Sequence, residues 1–469
     1  MLRSLLVVLC LVLAGLVAAV IVFRPDKAVH VAAGFVSHTL CSETFVAGLD
    51  PTQTAAEIFQ NMPGIRRLLP VLRYRVDRAE KSVTVTLGDR FETRAVDRDG
   101  IGCRLVYATV PNVTIAAASP PGDAAPASSA PDIAGPAAVE PSDEKLRAAL
   151  DRAFAEPESG ARRKTKAVIV LHDGRVVAER YARGVGIDTP LLGWSMTKSV
   201  INALVGILVR QGKLVVSAPA PVAAWRSPSD PRHAITIEHL MRMTSGLALD
   251  ETNSGFDPSS RTIFTQPDMA AFAESASLTA PPGTRYHYSS PSTIILSRIV
   301  TDAVGGRAED VRRLAERELF GPLGMRRVTL EFDAAGTPVG SSYMYATARD
   351  WARFGLLYAN DGVVAGRRIL PEGWVDFSAS PTEGSRDGYA AGFFTNRGPA
   401  EYSRNRVRGG MPADSFFASG TQGQRIVIAP AERLVVVRLG RSQDWESFDM
   451  RGLMRLVADA NLALNGPAR

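Results

Sequence analysis

The sequence predicts an α/β (α+β) protein: one antiparallel sheet flanked by helices, assembled from both ends of a large domain, with a helical lobe inserted between. Three observations carry this. Lys166–His172 and Arg175–Tyr181 are strand-like runs on either side of Asp173-Gly174, a dipeptide suited to the left-handed conformations of a tight hairpin. Gln424–Ala429 and Leu434–Leu439 repeat that character near the end of the chain, joined around Pro430-Ala431. Between them, about 213–330 reads as helical with frequent Pro and Gly, and a last helix is expected over Met450–Leu464.

A chain of 469 residues is too long for one ordinary core, and 46% hydrophobic content is that of a globular protein. Residues 113–141 are mainly Ala, Pro, Ser and Gly and read as a linker or crossing segment. They separate a small α/β unit, 24–112, from a large domain, 142–469. In the small unit Asp50-Pro51-Thr52 starts a helix running through Ile58-Phe59. Val83, Val85 and Leu87 alternate with polar residues, Phe91, Thr93 and Ala95 continue that period, and Cys103–Tyr107 forms a last strand. The formal net charge of +6 is spread along the chain without a Lys/Arg block bearing interleaved aromatics, so nucleic acid is not indicated as a partner.

Leu5–Phe23 is nineteen residues without a charge, between Arg3 and Arg24-Pro25-Asp26-Lys27. That length fits a membrane anchor over residues 1–23, with a cleaved signal segment as the alternative. The corresponding location is the bacterial cell envelope, anchored in the inner membrane with the domains in the periplasm, or secreted to it. Of the three cysteines, Cys10 lies inside the apolar run. Cys41 and Cys103 share the small unit behind an export-type segment, which suggests a disulfide, with two buried thiols as the alternative.

The chemistry centres on Gly193-Trp194-Ser195-Met196-Thr197-Lys198. A helix places Ser195 and Lys198 on one face, a turn apart. A serine hydroxyl needs a base within hydrogen-bonding reach, and a lysine whose pKa is lowered by burial can supply it. Val200, Ile201, Leu204, Val205, Ile207, Leu208 and Val209 make that helix apolar nearly all round, hence buried, with Gln211-Gly212 closing it. The pattern alone is not specific. Ser142-Asp143-Glu144-Lys145 repeats it, and there Ser142 reads as a helix N-cap.

Three further stretches follow in order: Met243-Thr244-Ser245-Gly246-Leu247, then Tyr286-His287-Tyr288-Ser289-Ser290 before a helix over Thr293–Val300, then Ala418-Ser419-Gly420-Thr421 leading into a strand. With Ser-Met-Thr-Lys, they make residues 142–469 resemble the serine hydrolases related to class C β-lactamases, especially the 6-aminohexanoate-dimer hydrolase branch. The resemblance implies a β-lactamase/transpeptidase-like fold and an acyl-enzyme, with no metal or other cofactor. It implies Ser195 as nucleophile, Lys198 and Tyr288 in proton transfer, and the backbone N–H groups of Ser195 and Thr421 as an oxyanion hole. Ser290 and Gly420 fall at substrate-binding positions, Ser290 where asparagine is usual. Ala418 stands where the family carries Lys or His, a residue that helps hold the carboxylate of β-lactams. Esters and simple linear amides are therefore the expected small-molecule substrates. The rival expectation is a catalytically silent envelope protein that binds cell-wall peptides or a partner. Tyr286 is the local rival to Tyr288. His233, His239 and His287 lack metal-ligand spacing, Met241 and Met243 read as packing, and Asp250-Glu251 reads as a solvated loop, with a place on the rim of the site as the alternative.

Overall fold

The computed structural model describes residues 25–59, 62–88, 91–98, 100–108, 130–252, 254–443 and 451–465. The apolar run Leu5–Phe23 lies outside them, as do residues 113–129 of the linker. Among the described residues, no helix is long and apolar enough to cross a membrane.

The large domain is built on a six-stranded antiparallel sheet whose strands, in spatial order, are β12 (Phe394–Thr395), β13 (Phe416–Gly420), β14 (Gln424–Ala429), β15 (Leu434–Gly440), β5 (Thr165–His172) and β6 (Arg175–Tyr181). A short ribbon of β10 (Val363–Val364) and β11 (Arg367–Arg368) lies apart from it. The central partnership is β15 with β5, which register as Val436 opposite Val170 and Val437 opposite Ile169. Both termini of the domain thus meet in one sheet. Asp173 at φ 51° and Gly174 at φ 78° make the β5–β6 turn, both in the left-handed φ region that lets a two-residue hairpin match the right-handed twist of its strands. Successive residues on these strands face opposite sides. Ile169, Leu171, Val435 and Val437 join the main core, whereas Val168, Val170, Leu434 and Val436 pack under the helices Glu144–Phe154 and Arg451–Asn465.

On the main-core side lies the central helix Thr197–Arg210, buried continuously from Thr197 to Leu208. Gly212, at φ 70°, lets Lys213 N–H return to the Leu208 carbonyl at 2.9 Å and stops the helix. The second occurrence of Ser-x-x-Lys is a cap, placed one residue later than expected: Asp143, not Ser142, accepts from Leu146 N–H. A small three-stranded sheet, β7 (Leu191–Leu192), β9 (Met344–Ala346) and β8 (Val328–Leu330), leads the chain into the central helix.

In the N-terminal unit, β1 (Leu72–Asp77), β2 (Ser82–Leu87), β3 (Phe91–Arg98) and β4 (Gly102–Leu105) form an antiparallel meander. The helix Pro25–Phe45 packs across it. Sequence periodicity did not reveal that helix. Val31–Thr44 is buried throughout, so it has no polar stripe to mark a period. A disulfide joins Cys41 of this helix to Cys103 of β4, with Cα atoms 6.0 Å apart.

The unit is not held at arm's length. Residues 130–141, read as the end of a linker, lie along β6. Val176 N–H bonds to the Ile133 carbonyl at 2.9 Å and Glu179 N–H to Val139 at 2.8 Å. Farther on, Glu57 accepts from Lys166 at 2.9 Å and from Arg441 at 2.6 Å, and Arg441 also meets Glu43. Glu331, between β8 and β9, is fully buried and accepts from Ser42 Oγ and Cys103 N–H, each at 2.8 Å. Burial pushes its carboxyl up to about 8 and the neighbouring His38, 3.2 Å away, down to about 4, so the pair is neutral near pH 7. Glu331→Leu would leave the Ser42 hydroxyl and the Cys103 N–H without their acceptor. It should destabilise the chain by about 2–5 kcal/mol. Glu331→Gln keeps an acceptor and should lose less, as urea unfolding of both variants would show.

Candidate active site

The turn that carries Ser195 is strained, and its neighbours hold it so. Trp194 holds φ at 48° within a short 3-10 turn, Trp194–Met196, that runs into the central helix. Gly193 has no room for a side chain: a Cβ there would come within 2.4 Å of the Trp351 ring. Gly420, at the end of β13, is equally constrained. Its Cβ would lie 2.2 Å from the Gly193 carbonyl oxygen and 3.1 Å from Trp194 Cβ. The end of β13 therefore lies against the backbone just before Ser195, and Thr421 is the next residue in the chain.

Lys198 Nζ is almost fully buried and has three partners. It donates to Ser195 Oγ at 3.0 Å, to Ser290 Oγ at 2.9 Å and to the Ser341 carbonyl at 2.9 Å. Burial lowers its pKa to about 8, while the charge of Glu251 opposes the shift. Near pH 7 roughly a tenth of the amine is free of its proton, and that form is the one able to take a proton from Ser195.

Tyr288 stands over the lysine, with Nζ 4.9 Å from its ring centroid, and its hydroxyl hydrogen-bonds with Ser195. Burial, and after it the charge of Glu251, raises its pKa well above the ordinary range, so it is a neutral phenol rather than a tyrosinate. Its ring packs edge-on to Tyr389 at 5.5 Å and parallel to Phe394 at 6.4 Å. The rival Tyr286 is turned elsewhere, donating to Asp387 at 3.0 Å. Alternation through this extended stretch sends His287 away to Asp250, 3.0 Å distant. Ser289 caps the helix Ser290–Ala303, which presents Ser290 to Lys198.

Ser195, Lys198, Tyr288 and Ser290 thus converge, with Gly420 and Thr421 at the adjoining strand end. Ala418 is buried in the apolar core and brings no charge. His233 contacts the Trp225 carbonyl and His239 completes a helix capping box, so both have structural positions. Two further residues bear on the site. Glu251, whose local sequence favours a solvated loop over a place at the rim, accepts Ser290 N–H at 2.5 Å and Ser259 Oγ at 3.2 Å. Nothing in its local pattern distinguishes it, because its partners lie 8 and 39 residues away. Ser341 acts through its carbonyl, which no side-chain motif could signal.

The family model described as Beta-lactamase matches residues 150–459. The chain belongs to the beta-lactamase family. It is a serine hydrolase of that family. The 6-aminohexanoate-dimer hydrolase of Paenarthrobacter ureafaciens is 25% identical over 316 residues, 64% of this chain and 79% of that protein. A solved structure from Bacillus anthracis, assigned as a 6-aminohexanoate-dimer hydrolase, aligns with a TM-score of 0.57 at 20% identity, covering 71% of this chain and 89% of that one. A family VIII carboxylesterase aligns with a TM-score of 0.55 at 16% identity, covering 70% and 99%. These two structural likenesses establish the shared β-lactamase/transpeptidase-like fold.

Glu251→Gln removes the charge that holds Lys198 protonated while leaving an acceptor for Ser290 N–H. The midpoint of the pH–rate profile should therefore move to lower pH, by about half to one unit. An unmoved midpoint would show that Glu251 does not act on the lysine.

Proposed function

We propose that the chain hydrolyses esters or simple linear amides through a covalent acyl-enzyme on Ser195. The observation that carries this is the buried Lys198 amine, 3.0 Å from Ser195 Oγ and with its pKa lowered to about 8. Lys198 takes the proton as Ser195 attacks the carbonyl carbon. The backbone N–H groups of Ser195 and Thr421 receive the oxyanion, each such donor contributing about 3–4 kcal/mol to the transition state. Tyr288, kept as a phenol, gives its proton to the departing alkoxide or amine and recovers one from the Lys198 ammonium. Water then attacks the acyl-enzyme by the reverse path, releasing the acid and restoring the Ser195 hydroxyl.

Ser290 binds the lysine in this arrangement, so its part is to hold Nζ rather than to grip a substrate carbonyl as an asparagine amide would. Gly420 contributes to substrate binding through its backbone, as the strand end beside the turn. Two observations support plain acyl substrates over β-lactams: Ala418 supplies no cation for a carboxylate, and the curated relative at 25% identity is named as a 6-aminohexanoate-dimer hydrolase. An envelope location, anchored through Leu5–Phe23, would suit a chain with the Cys41–Cys103 disulfide.

A serine-directed phosphonate should label the wild-type protein and not Ser195→Ala. Absence of wild-type labelling, together with inactivity on p-nitrophenyl acyl esters, would refute the mechanism. Tyr288→Phe should lower kcat by about 10²–10⁴-fold. With Lys198 as base, kcat/KM should rise with pH, level off above about 8 and fall nearly tenfold per unit well below it. A chromogenic cephalosporin should be turned over far more slowly than a short ester.

A further inference from the structure

The family match begins at residue 150 and assigns nothing to the N-terminal unit. That unit nevertheless reaches the catalytic turn. A bulky residue at positive φ, such as Trp194, is strained by about 1–3 kcal/mol and persists only where its surroundings over-determine it. Within the catalytic domain, the close approaches at Gly193 and Gly420 fix the backbone. The indole itself rests on the N-terminal helix. The Phe35 ring stacks on it with centroids 6.3 Å apart and planes 20° from parallel. Phe264 stands edge-on to Phe35 at 5.3 Å, and Tyr343 meets the indole at 5.6 Å.

The same helix also backs the segment that holds the base. His38 packs on the Tyr343 ring at 4.2 Å, and the Tyr343 carbonyl accepts Glu331 N–H at 3.0 Å. Two residues before Tyr343, the Ser341 carbonyl receives Lys198 Nζ. One helix therefore supports both the turn that aims Ser195 and the strand entry that anchors Lys198.

We propose that the N-terminal unit is a built-in positioning element of the active site, acting through the contact of Phe35 with Trp194. Phe35 touches no reacting atom; its ring holds the indole and thereby the aim of Ser195 Oγ at Lys198. The inference rests on Ser195 being the nucleophile. Phe59 provides the comparison. It is buried in the same N-terminal core, edge-on to Phe35 at 5.8 Å, and no ring contact joins it to Trp194 among the described residues.

The test uses the full chain. The second-order rate of phosphonate labelling is measured, the labelled residue is identified by peptide mapping, and kcat and KM are determined on a short ester. Phe35→Ala and the milder Phe35→Leu should lower the labelling rate and kcat on the order of tenfold to a hundredfold, with KM within about twofold. Phe59→Leu should stay within about twofold of wild type in all three, and Phe35→Leu should add almost nothing in a Trp194→Leu background. If Phe35→Ala does not fold, Phe35→Leu decides. The proposal is overturned if Phe35→Leu labels at the wild-type rate. It is also overturned if Phe59→Leu falls equally, or if the Phe35 and Trp194 effects simply multiply. Mapping of the wild-type label to a residue other than Ser195 would instead remove the nucleophile assignment, and this inference with it.

Discussion

The buried amine of Lys198 is the constraint on which the site depends. It meets Ser195 from its own turn of chain, Ser290 from the start of a second helix and the Ser341 carbonyl from the approach to β9. An ammonium removed from water is stable only if its donors are matched, and three acceptors from three separate elements match them. None could shift without leaving a donor unsatisfied in the interior. The same burial that demands partners also weakens the hold on the proton. Stability and reactivity at this position therefore have one origin.

Charge around the lysine is arranged with comparable economy. Glu251 tempers the loss of basicity without touching Nζ, bonding instead to the backbone of Ser290. Tyr288 lies in an aromatic group with Tyr389 and Phe394, which excludes water from the phenol and keeps it protonated. The resting site thus sets side by side two proton-bearing groups pushed apart by burial: an amine whose hold on its proton is weakened and a phenol whose hold is strengthened. In the mechanism proposed above, that difference is what lets the two groups exchange a proton as the reaction proceeds.

How much of this could be read from the residues depended on whether the physical cause was local. Asp173-Gly174 announced its hairpin because two residues set that turn. The central helix announced itself by an apolar surface on every side. Tyr288 could be separated from Tyr286, an aromatic residue in the same extended stretch, by its Tyr-x-Ser spacing and its place just before the helix, once the resemblance gave a tyrosine there a role. Glu251 was not legible, because its importance comes from Ser290 across a fold that must already exist. The helix Pro25–Phe45 escaped for a related reason: burial on all sides by the meander and the catalytic domain erased its period. Ile133, 4% exposed, sits in a segment whose Ala, Pro and Ser content suggested a tether, yet the backbone hydrogen bonds that tie it down carry no side-chain signature.

That segment has a consequence for how molecules of this protein meet one another. β6 ends the sheet, and an open sheet edge offers free N–H and C=O groups on which a strand from a second molecule can build. Here residues 130–141 occupy that edge. Arg349 fastens them, donating to the Gly135 and Ala137 carbonyls at 2.7 and 2.8 Å while pairing with the buried Glu179. A stretch of chain between two folded parts thus doubles as a selvage, closing the weave on that side so that strand-by-strand growth into a larger assembly has nowhere there to begin.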